Sequence, residues 1–131
     1  MCHTKTTSMY KFYFEKLEVW KKSRKLVCDI YKITDKYPNS ERFNFIDQMR
    51  RASCSVSNNL AEGNSKRTKK EQARYTSISH GSLMEVLNLL ILSKDLGYID
   101  ELTLNEFYLK ISIIARQLNA LLNVQLKSIS K

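Results

Sequence analysis

Positive charge is the chemistry that this sequence concentrates. Lys66, Arg67, Lys69, Lys70 and Arg74 fall within nine residues. Lys21, Lys22, Arg24 and Lys25 form a second cluster, and Arg50 with Arg51 a third. Cations at this density suit a polyanion, because every phosphate they neutralise releases counterions. Other chemistries are poorly supplied. A di-iron bundle needs Glu and Glu-x-x-His on facing helices, but there is no Glu-x-x-His and only two histidines, His3 and His80. No Cys/His cluster has zinc spacing. A phosphate-cradling loop needs several glycines between a strand and a helix, and Gly63 stands alone. Ser77, Ser79 and Ser82 lie near His80, but mid-helix, without the sharp elbow that exposes a nucleophile. The expectation is a binding or assembly module with no catalytic residue, no cofactor and no metal.

One further pair carries a catalytic pattern. Arg74 and His80 stand as R-x5-H, which resembles the R-x4–6-H signature of the helical HEPN ribonucleases. That resemblance implies an Arg and a His that polarise a phosphate and move a proton. Residues six apart on a helix lie about 240° around its axis, so the two do not share a face. A surface Arg and a packing His are the expected roles. Tyr37 and Tyr75 could stack on bases, with Tyr75 expected in the core. Lys69 and Lys70 fall at a helix N-terminus, where the dipole disfavours cations by about 0.3–1 kcal/mol each. A bound anion would relieve that cost.

The elements that must hold these residues read as four helices. Helix one is expected over Glu15–Lys36, with Val19, Ser23, Leu26, Ile30 and Ile33 at steps of three and four. Pro38 follows it and disfavours helix in the residue before. Helix two is expected from Ser40 or Glu41 to Glu62, with Phe45, Met49, Ala52, Val56 and Leu60 as its face. Gly63 would stop it in the left-handed conformation. Ser53, Ser55 and Ser57 are small enough for close helix approach. Helix three opens on a capping box, Thr68-Lys69-Lys70-Glu71, and runs to Leu96 with Gly97 as its stop. Its Val86–Leu92 stretch is apolar except for Asn88, so it is expected to sit centrally or to face another subunit. Helix four is expected to open on a second box, Thr103-Leu104-Asn105-Glu106, and to continue to the end. Joined by short turns, these make an all-α, antiparallel up-down-up-down four-helix bundle. It would occupy residues 14–131 behind a flexible arm, residues 1–13.

Composition agrees with one folded domain. The chain has 131 residues, 43% hydrophobic and 27% charged, with three Gly and one Pro. No apolar run reaches the ~18–20 residues of a membrane span, and no signal peptide is visible, so a cytoplasmic location is expected. Three cysteines without C-x-x-C spacing suggest free thiols, Cys28 and Cys54 being small buried residues. Net charge is +9 and lies wholly in the first part. Residues 1–74 hold 17 Lys and Arg against 8 Asp and Glu, whereas residues 75–131 hold five of each. Such asymmetry favours RNA, DNA or an acidic protein surface as partner.

Several segments together resemble a known family. FEKLEVWKKSRKL, Tyr37-Pro38, DQMRRASCSVSNNLAEG, KRTKKE and GSLMEVLNLLILSKDLGYI are similar to bacterial four-helix proteins encoded in intervening sequences of 23S ribosomal RNA genes. The accessory protein of diversity-generating retroelements looks similar too. The resemblance covers about Phe14–Leu122. Its motif falls on Arg50, Arg51, Asn59, Ala61, Glu62, Gly63, Arg67, Gly81, Ser82 and Glu85. The chain departs from it at Leu60, Ser65 and His80. The resemblance implies a four-helix bundle that assembles as a ring-like homopentamer, with basic surfaces that bind nucleic acid or a polymerase-like protein. Helix-packing roles are expected for Asn59, Gly63, Ser82 and Gly81, the last through close contact with another helix. Glu62 and Glu85 are expected to pair with Arg50 or Arg51. Those two arginines are candidates for either an ion pair or a nucleic-acid contact.

Overall fold

The computed structural model describes residues 10–129 and is all-helical among them, with four long helices and no strand. These are α1 (Glu18–Thr34), α2 (Asp47–Asn64), α3 (Lys69–Asp95) and α4 (Glu101–Ile129). They pack as a helical bundle. Residues 1–9 of the expected arm lie outside the described residues.

The core follows the sequence stripes. Val19, Leu26 and Ile30 of α1 meet Met49, Ala52, Val56 and Leu60 of α2. Leu83, Val86 and Leu90 of α3 and Leu104, Phe107, Ile111, Ile114 and Leu118 of α4 complete the cluster. The buried serine and threonine hydroxyls all find acceptors. Ser23, Thr34, Ser53 and Ser93 each donate to a carbonyl three or four residues back in their own helix, and the Thr76 proton is shared between the Gln72 carbonyl at 3.1 Å and the Gln125 side-chain oxygen at 2.8 Å. Ser79 instead donates across the α2–α3 contact to the Val56 carbonyl at 2.8 Å. Small side chains that satisfy themselves let the helices approach closely at no hydrogen-bonding cost.

Helix ends show where local signals were outweighed. α1 starts at Glu18 rather than Glu15, because Leu17 is extended (ψ 125°) and the preceding Tyr13–Lys16 forms a separate 3₁₀ turn. α2 starts at Asp47, later than Ser40 or Glu41. Asn39–Glu41 is a 3₁₀ turn and Arg42–Ile46 one turn of π-helix. Tyr98, just past α3, anchors this segment by donating to Glu41 at 2.5 Å, and Glu41 in turn raises the tyrosine's pKa.

Gly63 does not stop α2 in the left-handed conformation. It lies inside the helix, which ends at Asn64, and Gly97 (φ 82°) is the glycine with positive φ among the described residues. Gly63 is needed for space: a Cβ there would lie 2.6 Å from the Tyr75 Cβ. Gly97 ends α3 as expected. Thr68 caps α3 by accepting from the Glu71 amide at 3.2 Å, while its hydroxyl, not its amide, meets the Glu71 carboxylate at 3.3 Å. The cap of α4 is Asp100 instead of Thr103: its carboxylate accepts the Thr103 amide at 2.8 Å. An aspartate three residues upstream outcompetes the threonine box. The hydrogen bonds from Thr103 hold the Asp100 carboxyl below its usual pKa. Cys28 is disulfide-bonded rather than a free thiol. Among the described residues Cys54 is a free thiol, half-buried.

Candidate nucleic-acid interface

Helix pairing brings distant cations to one end of the molecule. Arg50, early in α2, contacts Thr34 and Asp35 at the close of α1. The first half of α1 meets the second half of α2, where Trp20 and Arg24 share a shallow cavity with Cys54, Ser57 and Asn58. Glu62 meets Tyr75 across the α2–α3 turn, and Thr76 meets Gln125 near the end of α4. Residues 11–25, 62–74 and 116–127 therefore gather at one end. They hold 13 Lys and Arg against four Asp and Glu, while the rest of the described chain holds seven against nine. The excess seen along the sequence is an end-to-end separation of charge.

Within this end the cations differ in freedom. Arg67, Lys69, Lys70 and Arg74 are exposed, and none has an ion-pair partner among the described residues. Lys66 is more constrained. Its ammonium lies 3.8 Å from the Glu62 carboxylate and 5.1 Å from the Tyr75 ring centre, and its carbonyl accepts from Gln72 at 2.9 Å. Lys21 pairs with Glu18 at 3.3 Å, and Arg24 lies 5.5 Å from the Trp20 ring. Lys22 and Lys25 flank a groove between α1 and α4.

Arg50 and Arg51 lie elsewhere, at the other end. Arg50 donates to the Thr34 hydroxyl at 3.0 Å, to Asp35 at 2.9 Å and to the Tyr31 carbonyl at 3.4 Å. Its guanidinium also covers the Tyr31 ring at 4.4 Å. A planar fork so fully used joins α1 to α2 and has little left for a phosphate. Arg51 is exposed and pairs with Asp47 one turn back at 3.2 Å. The expected pairing of Glu62 with either arginine does not occur. Glu62 takes Tyr75 and Lys66, and Glu85 is exposed with no ion pair among the described residues.

The other motif positions divide in the same way. Asn59 donates to the Ser55 carbonyl at 2.8 Å and to its hydroxyl at 3.0 Å, and Ser55 meets Ser82 at 2.7 Å. These three tie α2 to α3. Gly81 departs from expectation: it is exposed, and an added Cβ would meet nothing within 4 Å. Tyr37 is buried, which raises its pKa and removes it as a base-stacking platform. Tyr75 is half-buried, with its hydroxyl bound to Glu62 and its ring under Lys66. Arg74 is exposed and His80 half-buried, about 9 Å apart along α3 at 1.5 Å per residue.

The serine network and the close approach at Gly63 were not assigned partners by sequence reasoning. The serine run of α2 was their visible signal. Among the described residues no helix is long and apolar enough to cross a membrane, and no group of three His, Cys, Asp or Glu could hold a metal ion.

A search of curated proteins returns no match. A protein-family model, described as 23S rRNA-intervening sequence protein, matches residues 15–120. That span contains α1, α2, α3 and most of α4, with all three basic clusters and the Arg50–Glu85 motif. The chain belongs to the 23S rRNA-intervening sequence protein family.

Proposed function

We propose that the chain is a non-enzymatic, up-down-up-down bundle that binds RNA or DNA through its basic end. The observation that carries this reading is the set Arg67, Lys69, Lys70 and Arg74, exposed and without ion pairs among the described residues. They share one end with Lys21, Lys22, Arg24 and Lys25. Lys66 is engaged at the α2–α3 turn and Arg50 between α1 and α2. The amino-terminal turn of α3 presents backbone N–H groups beside these cations, an arrangement favourable to phosphate.

Self-assembly forms the second half of the proposal. Ile78, Leu92 and Leu96 of α3 are exposed on the same side as Gly81. A glycine without neighbours in its own chain suits a second copy, and a ring-like homopentamer is the form the family resemblance implies. Assembly would set several basic ends around one polyanion.

The test is a salt titration of mixed-sequence RNA binding. About four neutralised phosphates on a single strand give a log–log slope of about −3. Reversing Lys69 and Lys70 to Glu should reduce the slope by about 1 to 2 and weaken binding of all sequences alike. No binding at ~50 mM salt, or a flat dependence, refutes the nucleic-acid reading. Light scattering that reports a 15.3 kDa monomer refutes assembly.

A further inference from the structure

Helix α4 is apolar on two sides. One side, with Leu104, Phe107, Ile111, Ile114 and Leu118, enters the core. The other carries Leu102, Leu109, Ile113, Ala120 and Val124, all exposed, with Leu109 at 70% and Val124 at 62%. These five are spaced by seven, four, seven and four. At 100° per residue they fall within about 60° of one another and run about 33 Å along the helix. Steps of seven and four make an eleven-residue repeat, which keeps one face of a helix in line for a second helix.

The stripe leads into a groove with α1. Ile113 belongs to both, lining a cavity of about 180 Å³ whose other apolar walls are Leu26 and Ile114. Lys22 and Lys25 of α1 and Lys110 of α4 flank it. Of the nearby carboxylates, Asp29 is engaged with Lys110 at 3.0 Å, and Glu106 stands on the stripe itself, between Leu102 and Leu109. The surface is therefore an apolar seam beside a lysine edge.

We propose that this α1–α4 face docks an amphipathic helix of a partner protein whose apolar residues are flanked by Glu or Asp. The helical register of the stripe selects a helix, and the lysine edge selects its charge. A second copy docked face to face through this stripe fits less well, because it brings like lysines together. The face shares Lys22 and Lys25 with the basic end but not Lys69, Lys70 or Arg74, so the two readings can be tested apart.

The probe is a labelled synthetic helix of about 22 residues, long enough to span the stripe, with Leu at the seam positions and Glu beside them. A matched peptide carries Lys in place of Glu. The expected result is saturable anisotropy with the Glu peptide and none with the Lys peptide. Leu109→Asp and Val124→Asp, both on the open surface, should each weaken binding by about tenfold or more, the loss expected for one well-buried aliphatic side chain. The double change Lys22→Glu with Lys25→Glu should reverse the preference between peptides. No binding of the Glu peptide, or equal binding of both, overturns the proposal. Binding lost on reversing Lys69 and Lys70 but retained in Leu109→Asp also overturns it, because the peptide then reads the basic end. A smaller sedimenting species in Leu109→Asp assigns the stripe to contacts between copies and overturns it too.

Discussion

Gly63 and Gly81 are both helical glycines, yet replacing each with alanine should move stability in opposite directions. Alanine is favoured over glycine in a helix interior by about 0.8–1 kcal/mol, and both positions receive that gain. At Gly81 nothing opposes it, since no atom lies within 4 Å of the added Cβ. At Gly63 the new Cβ meets the Tyr75 Cβ at 2.6 Å, against an ordinary contact of 3.4 Å or more. The two helices must part by about 0.8 Å there, because a Cβ moves only with its backbone. Overpacking of this kind costs about 1–3 kcal/mol, and parting also stretches the Tyr75–Glu62 hydrogen bond of 3.1 Å. The net expectation for Gly63→Ala is a loss of about 1–2 kcal/mol. For a chain of this size, 1 kcal/mol shifts Tm by about 4 °C. Gly81→Ala should therefore melt about 3–4 °C higher and Gly63→Ala about 4–8 °C lower, read by circular dichroism with urea unfolding as a second measure. A Gly63→Ala protein as stable as its parent would refute the close-approach argument. Gly81→Ala that gains nothing and changes the sedimentation profile would show that a second copy occupies the space beside Gly81.

Other consequences follow from single contacts. Arg50→Ala should destabilise by about 2–3 kcal/mol, since it strips charge-assisted bonds from Thr34, Asp35 and Tyr31, while leaving RNA affinity nearly unchanged. Thr76→Val removes the 2.8 Å bond to the buried Gln125 and should cost about 1–3 kcal/mol by leaving an amide oxygen unpartnered, measurable by urea unfolding. Asp100→Ala should lower Tm and fray the first turn of α4, seen as faster amide exchange there, and Thr103→Ala should do so less, because the amide at 103 still reaches Asp100. Because the folded Asp100 carboxyl titrates below its unfolded value, its contribution is present above that unfolded value. It is lost as pH falls through the folded one, so an acid melt of Asp100→Ala should converge with that of the parent.

Four helices were legible in the residues because apolar steps of three and four persist for many turns with few breakers between them. Their ends were less so, for physical reasons particular to each. The late start of α2 depends on Tyr98 gripping Glu41, a contact 57 residues apart in sequence. Gly63 could mark a left-handed stop or a close approach, and only the position of Tyr75 decides which. Asp100 and Thr103 are both good caps, and the competition is settled by which carboxylate or hydroxyl reaches the free amides. For the candidate site, Arg67, Lys69, Lys70 and Arg74 were legible as a run of charge. The removal of Arg50 from that set was not, because Thr34 and Asp35 reach it from another helix. The grouping of Lys21–Lys25 with the α2–α3 turn likewise required knowing how α1 lies on α2.

The gathering of cations at one end would also govern how the molecule meets a polyanion. Among the described residues, a rod with 13 positive and four negative side chains at one end, and seven against nine elsewhere, carries a large permanent electric dipole. Near a polyanion the field exerts a torque that turns the basic end forward before any atom touches. Tumbling is then biased within a Debye length of about 8–10 Å, and fewer encounters are wasted on wrong orientations. Its kinetic signature is an association rate that falls steeply with added salt while the dissociation rate changes less. Moving the same charges to the opposite end would keep the isoelectric point but reverse the direction from which the protein approaches.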